Sequence, residues 1–482
     1  MGSRRQRAGR AVMAAAVVAG LGLAGPAEAV PATGEPHPAA SSWGRAVAVP
    51  GLGALNKGAD AEVLSVSCGA GSCAAGGYYS GSSGSPHGFV AVQADGIWGK
   101  AVEVPGLAAL NKGADAKVES VSCAGRGYCA AGGYYTGSDG FSQQGFVAIH
   151  QNGRWAKAIP VPGLRALNTG QDAEVLSVSC ARPGSCAAAG TYSDPSGSQG
   201  FAASERNGRW GKAIPIPGLK ALNKGAGIED MSVSCAAAGT CAAGGDYSDS
   251  SGNGQGFVAS GRNGRWGKAI EVPGLGALNK ENAFVFSVSC APAGTCAAGG
   301  VYAGHGSGGF AAAERNGHWG KATQIPGPQP RTPGNAVVIL SVSCASPGTC
   351  LAAGNYGAGR ILQGFTAAER NGRWGQGTQI PGLRALNTGH DAGIDSVSCA
   401  SAGECAAVGT YLARRLLRGF VTVERNGRWG KAIPIPGLAT LDAGGDDFLS
   451  SVSCAPAGNC AAGGTYLDHS GNNQGFVASR PR

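Results

Sequence analysis

The chain alternates short apolar runs with small polar stretches, and it does so on a fixed period. In residues 231–274, Met231-Ser-Val-Ser-Cys235 is a brief run with strand-type alternation, and Ala236–Thr240 reads as a turn. Cys241-Ala-Ala-Gly-Gly-Asp-Tyr247 is a second run, followed by a polar loop over Ser248–Gln255. Gly256-Phe-Val-Ala-Ser260 is a third, and Arg265-Trp-Gly-Lys-Ala-Ile270 a fourth. Between the last two stands Arg262-Asn263-Gly264, a tight hairpin turn, because Asn-Gly accepts the positive φ such turns demand. Pro273-Gly-Leu-Gly-Ala-Leu-Asn279 then leads into the next unit.

The same order of runs recurs eight times. Eight tryptophans keep the beat, from Trp43, Trp98, Trp155 and Trp210 to Trp266, Trp319, Trp374 and Trp429. Residues 43–482 number 440, or eight units of 55. Four antiparallel strands per unit, repeated in this way, predict an all-β, eight-bladed β-propeller in which neighbouring sheets bury each other's faces. The last unit stops after Gly475-Phe476-Val477-Ala478 and lacks a Trp strand, while Trp43-Gly-Arg-Ala-Val47 is a Trp strand with no unit of its own. The expectation is that this N-terminal strand completes the last blade and closes the ring, leaving no open sheet edges.

Cysteine sharpens the picture. It occurs in eight pairs: Cys68 and Cys73, Cys123 and Cys129, Cys180 and Cys186, Cys235 and Cys241, Cys290 and Cys296, Cys344 and Cys350, Cys399 and Cys405, Cys454 and Cys460. They use all 16 cysteines and begin 54 to 57 residues apart. Each pair reads as one disulfide within its own unit, between the first two strands. A metal site would need further ligands, and no His or second Cys pair stands beside any of them. No metal or cofactor is expected.

Residues 1–29 stand apart. Arg4, Arg5, Arg7 and Arg10 precede an apolar stretch from Ala11 to Gly25, and Ala27-Glu28-Ala29 has the small-x-small form of a cleavage site. This reads as a secretory signal peptide, too short for a membrane span. The Arg4-Arg5 pair leaves twin-arginine export open beside the general secretory route. Residues 30–42 read as a disordered linker. The mature protein is expected outside the cell, released or surface-associated, as a monomer. Its formal charge falls from +9 to +6 without the leader, a modest excess that argues against nucleic acid as a partner. Gly and Pro together number 111, which leaves no room for long helices.

The units resemble kelch and galactose-oxidase-type propeller repeats, in which a Gly-Gly doublet ends the second strand and a Trp marks the fourth. The doublet stands here as Gly76-Gly77, Gly132-Gly133, Gly244-Gly245, Gly299-Gly300 and Gly463-Gly464, with Ala or Val in its first slot in units three, six and seven. Kelch units carry Tyr on the third strand where this chain has Phe, and they lack the cysteines. The fuller pattern, Ser-Val-Ser-Cys…Cys-Ala-Ala-Gly-Gly…Trp, is similar to secreted Cys-containing repeat proteins of actinomycetes. That resemblance implies a fold and no activity. The copper chemistry of galactose oxidase would need a free Cys beside a Tyr, and every cysteine here is spoken for.

Candidate chemistry is sparse. There is no Gly-x-Ser-x-Gly elbow, His-Glu-x-x-His or phosphate-cradling loop, and no catalytic residue is assigned. The histidines are scattered; His87, His305 and His469 fall in second-to-third-strand loops of units one, five and eight. Once-per-unit Trp, Phe and Tyr are expected to be core. The arginines of the Asn-Gly turns, such as Arg206, Arg262, Arg315 and Arg370, are expected to be solvated and paired with Glu205, Glu314, Glu369 and Glu424. Loops between second and third strands, together with the connections between units, are expected to form a long, variable face, where binding usually lives on rigid scaffolds. The candidate binding residues there are Asp139, Asp194, Asp249, Asn253 and Asp468, with Arg414, Arg415 and Arg418 of the unusual unit-seven loop. The Asp loops carry oxygen donors suited to calcium, but they also look like turns that bond their own backbone. The leading reading is a non-enzymatic binding scaffold for a protein or a cell-envelope polymer. A glycan-binding or glycan-hydrolysing protein and a structural envelope protein stand beside it.

Overall fold

A computed structural model describes residues 43–480 except 113, 138, 226, 238, 293, 305, 329–335 and 443. The expected leader over 1–29 and linker over 30–42 lie outside the described residues, as does His305. The chain forms eight antiparallel sheets in sequence order, an eight-bladed β-propeller. In blade 1 the strands are Ala61–Gly69, Ser72–Ser80, Pro86–Ala94 and an outer strand split into Ile97–Trp98 and Val102–Glu103. The following blades begin at Ala116, Ala173, Met231, Ala283, Val337, Ala392 and Phe448.

The ring closes as expected. Val47–Ala48 pairs antiparallel with the third strand of blade 8, Val47 opposite Val477 and Ala48 opposite Phe476. Trp43 and Phe476 share one buried core with Ala406 and Val408 of blade 7. The chain therefore supplies the last blade from both ends, and the outer strand that would be missing is present.

Every expected disulfide forms, and each lies inside its own blade. Cys68 is bonded to Cys73, Cys123 to Cys129, Cys180 to Cys186 and Cys235 to Cys241. In the second half of the ring Cys290 is bonded to Cys296, Cys344 to Cys350, Cys399 to Cys405 and Cys454 to Cys460. The two cysteines of a pair stand directly opposite each other on the first and second strands, as Cys68 does to Cys73 and Cys454 to Cys460. Among the described residues no cysteine is free.

The repeated phenylalanines and tyrosines are core, and of the eight tryptophans five are buried while Trp210, Trp319 and Trp374 are half-buried. All eight third-strand phenylalanines, Phe89 to Phe476, have no exposed surface. The eight tyrosines that follow the glycine pair, Tyr79 to Tyr466, are all buried as well. The Asn-Gly turns take left-handed backbone at both residues, as at Asn263 (φ 51°) and Gly264 (φ 67°). The glycine doublet divides its labour. A Cβ on Gly77 would collide with the carbonyl oxygen of Glu62 on the paired strand, whereas one on Gly76 would meet only Val118 and Val121 side chains of the next blade. The second slot is accordingly glycine in all eight blades, while the first admits Ala189, Ala353 and Val408.

Two hydrogen-bond circles hold the blades together. In the inner one, each Ser-Val-Ser-Cys run offers both serine hydroxyls to the next blade. Ser65 Oγ accepts from Val121 N–H and Ser67 Oγ from Cys123 N–H, and the same pair recurs at every junction, at 3.1–3.2 and 2.8–2.9 Å. The circle ends where it starts, with Ser451 and Ser453 accepting from Val66 and Cys68. These N–H groups lie on the open edge of the innermost strand, and the hydroxyls satisfy them. In the outer circle, Ala101 N–H donates to Pro50 O at 2.7 Å and its equivalents do likewise, through to Ala46 N–H and Pro436 O at 2.7 Å.

The face expected to be long and variable is more compact than its composition suggested. The second and third strands run on into tight hairpins, with only Pro195-Ser196, Gly359-Arg360 or Arg414-Arg415 between them in blades 3, 6 and 7. The connections between blades are longer. Seven of them carry one helical turn, as at Leu52–Leu55, entered through a left-handed glycine such as Gly51 (φ 75°) and anchored by a buried leucine. The eighth holds the Pro326–Pro333 stretch, partly outside the described residues.

Candidate functional site

The predicted binding residues sit at successive hairpin tips on the connection face, in blades 2, 3, 4, 7 and 8. Among the described residues no hydrogen bond or ion pair joins one of these tips to another. Each carboxylate is engaged by its own turn. Asp139 accepts from the Phe141 and Ser142 N–H groups at 3.0 and 2.9 Å and from the Ser142 hydroxyl. Those bonds, the Ser142 hydroxyl first, hold its carboxyl down at about 2. Asp249 accepts from Ser251 N–H, Asn253 N–H and Gln255 Nε2 at 2.7, 3.1 and 3.0 Å. Asp468 repeats the arrangement with Ser470, Asn472 and Gln474. Burial pulls both carboxyls up, but the donated bonds outweigh it and leave them below the usual range. Asp194 bonds Ser196 and forms an ion pair with Lys220 at 2.8 Å. These are the geometries of side chains that mimic a backbone turn.

The three arginines part company. Arg414 and Arg415 form an exposed hairpin tip. Arg418 turns inward, ion-pairs with Asp442 and with Asp447 (3.1 Å), and donates to Gly445 O at 2.8 Å. Asp447 also accepts from Gly419 N–H. Its burial is the largest influence on its carboxyl, which is pushed up to about 6 although Gly419 and Arg418 pull it down. In blade 4 the same two slots hold a neutral pair, with Asn279 Nδ2 donating to Gln255 Oε1 at 2.9 Å. Blade 7 has replaced Gln and Asn together by Arg and Asp, so Arg418 is bound into the frame. The paired departure at 418 and 442 is the signal from which this could have been read.

The blades differ most where the innermost strand nears the connection face. The cross-strand pairs there are Glu62–Tyr78, Lys117–Tyr134, Glu174–Thr191, Phe284–Val301, Val338–Asn355, Gly393–Thr410 and Phe448–Thr465. Charged groups occupy blades 1 to 4, apolar or neutral groups blades 5 to 8. Lys117 Nζ sits 3.8 Å from the centre of the Tyr78 ring, a cation–π contact between blades 1 and 2, and Tyr78 donates to Asp60 at 3.1 Å. The Tyr134 hydroxyl is held above the usual tyrosine range by burial first, then by the charges of Glu119, Asp115 and Glu174. Blade 4 places Asp246 at the equivalent position, buried and accepting from Asp230 N–H at 2.7 Å. Burial chiefly pushes its carboxyl up to about 7. Phe284 and Phe286 of blade 5 stack with centroids 6.0 Å apart. Among the described residues no three His, Cys, Asp or Glu side chains gather as a metal site would require.

On the opposite face, the turn charges make their pairs between blades. They pair with glutamates as expected and remain largely in solvent, but the partner belongs to the next blade: Arg262 reaches Glu314 at 3.7 Å and Arg315 reaches Glu369 at 3.6 Å. Both carboxylates are buried, and burial raises their pKa against the pull of the arginines. Glu205 follows another rule, accepting from the Tyr128 hydroxyl at 2.6 Å.

No family model and no curated protein matches the chain. Solved structures do. The chain is similar to Sqt1 from Chaetomium thermophilum bound to the N-terminus of a ribosomal protein, at 11% identity, covering 88% of this chain and 97% of that one, with a TM-score of 0.48. It is similar to a polysaccharide lyase acting as an ulvan lyase, at 10% identity over 82% and 96% with a TM-score of 0.41. A Hadza microbial sialidase aligns at 10% identity over 70% and 73%, with a TM-score of 0.39. At these scores the likenesses carry no inference about activity or ligand.

Proposed function

We propose that the protein is a secreted, non-enzymatic binding scaffold that engages a protein or cell-envelope polymer through its connection face. The reading rests on where symmetry breaks. Eight blades repeat their core, their bridges and their inner hydrogen bonds without exception, yet the pairs from Glu62–Tyr78 round to Phe448–Thr465 share neither size nor charge. Positions with a packing role repeat with the fold, and positions free of that role can serve a ligand. Eight disulfides suit an oxidising compartment, in keeping with the expected leader and with the resemblance to secreted repeat proteins. Among the described residues no helix is long and apolar enough to cross a membrane.

The test is a binding panel of purified envelope polymers and defined secreted proteins. It compares the wild-type chain with the triple variant Glu62→Gln, Lys117→Gln, Glu174→Gln. A ligand that binds the wild type and is lost from the variant supports this face; one bound equally by both rejects it. A second reading, a glycan-binding or glycan-hydrolysing protein, draws on the Tyr134 hydroxyl, raised above its usual range by burial first and then by the charges of Glu119, Asp115 and Glu174. Sugar release by the wild type, abolished in Glu119→Gln or Glu174→Gln, would favour that reading.

A further inference from the structure

The rim opposite the connection face holds a slot whose usual occupant is missing. At the junction of blades 4 and 5, Arg262 lies over the turn glycine Gly317 and pairs with Glu314; at the next junction Arg315 lies over Gly372 and pairs with Glu369. At the one after, the charge of Arg370 bears on buried Glu424. Each glutamate stands opposite the blade tryptophan, Glu314 with Trp319, Glu369 with Trp374 and Glu424 with Trp429. Between blades 3 and 4 the arginine is present in the same posture, Arg206 over Gly264, but the residue opposite Trp266 is Gly261.

The missing side chain leaves a small cleft of about 30 Å³ bordered by Glu205, Arg206, Gly261, Gly264, Cys241 and Trp266. An adjoining cleft of about 210 Å³ shares Arg206 and Trp266 and adds Arg209 and Lys212. Trp266 is 8% exposed, and its Nε1 is buried with no partner, as are those of Trp43, Trp155 and Trp210 at other junctions. At the following junction the equivalent Trp319 Nε1 donates to Ser260 Oγ at 3.0 Å. A stranded donor, an arginine without its carboxylate and two more cations therefore converge on one opening.

We propose that this cleft is a docking slot for the side-chain carboxylate of a glutamate on a partner protein, seated against Arg206 where Glu314 and Glu369 sit at the following junctions. Gly261 stands where Glu314 and Glu369 stand at the following junctions and the opening is narrow, so a carboxylate on a slender two-carbon arm fits it better than one borne directly on a sugar ring. Arginine is the cation suited to holding it. Glu205 also borders the cleft and opposes the ligand's charge; Tyr128 occupies its Oε1, and its Oε2 has no partner.

The experiment titrates the full chain with the blocked tripeptide Gly-Glu-Gly and its Gly-Gln-Gly counterpart at low ionic strength, read by calorimetry. The glutamate peptide is expected to bind about fivefold tighter or more, the scale of one ion pair. Arg206→Gln should remove that discrimination, Gly261→Glu should block binding by filling the slot, and Glu205→Gln should tighten it. Equal binding of the two peptides, or discrimination retained in Arg206→Gln, would overturn the proposal. A galacturonate trisaccharide that binds more tightly than the peptide would overturn the choice of a protein partner. Should Gly261→Glu fail to fold because its Cβ presses on the Trp266 ring, the Arg206→Gln titration decides alone.

Discussion

At the inner edge of the ring, the junction of blades 3 and 4 is built like that of blades 5 and 6: two serine hydroxyls accept from two backbone N–H groups at the same spacings. At the rim the two junctions differ. One carries Arg315 against a buried Glu369, the other Arg206 against Gly261 and an open cleft. The inner edge has no freedom because every unmet N–H there would be a buried strand edge, costly at each recurrence. The rim is half in water, where an arginine can lose its partner and remain solvated, so variation collects there.

The strongest way to break this contrast is to strip the inner edge. Ser232→Ala with Ser234→Ala leaves Val288 and Cys290 N–H unpaired. The loss should be about 1–3 kcal/mol for each stranded donor, read as a lowered denaturation midpoint. The same double change at Ser65 and Ser67 should cost the same, since the seams are equivalent; unequal costs would show that they are not.

Next is the charged graft in blade 7. Arg418→Gln alone strands two buried carboxylates and should cost about 2–4 kcal/mol. Combining it with Asp442→Asn restores the neutral pairing seen at Gln255 and Asn279 and should recover part of that loss, a coupling measurable in a double-mutant cycle. Additive costs would sink the account.

At the rim, Arg262→Ala should destabilise by about 1 kcal/mol or less, because the guanidinium is largely exposed even though Glu314 is buried. Arg206→Ala should leave the midpoint where it is. A larger loss from Arg206 than from Arg262 would reverse the ranking.

The last effect is a dependence on pH rather than a loss at one pH. Asp246 has its carboxyl raised to about 7 in the fold. Its contribution is fully present below the ordinary carboxylate pKa and is lost as pH rises through about 7. Asp246→Asn should flatten the decline in thermal midpoint between pH 4 and pH 8; an unchanged slope would place the titration elsewhere.

Much of the fold was legible because it is written eight times. Paired cysteines, Asn-Gly turns and the lone Trp43 strand each have one structural solution, and the structure adopts it. The role of the two serines was missed although Ser-Val-Ser-Cys stood in every unit, since their partners lie one unit away, 55 to 58 residues along the chain. Arg418 reads from the sequence as a candidate binding residue, and its ion pairs are hidden there for a similar reason: Asp442 and Asp447 lie 24 and 29 residues on, and only comparison with the Gln and Asn of other units reveals the exchange. The loops over Asp139, Asp249 and Asp468 were open to two readings because calcium ligation and self-capping turns recruit the same residue types. Shape shared across blades is the feature that a repeat alike in each unit records least.

The circle of hydroxyls has a sense of rotation but no beginning: every acceptor belongs to one blade and every donor to the one after it, across the seam between Ser453 and Cys68 as elsewhere. To the ring, the place where the polypeptide is cut is arbitrary. Joining the two termini through a short linker and reopening the chain within another connection would hand the task of latching to a different blade and leave the circuit whole.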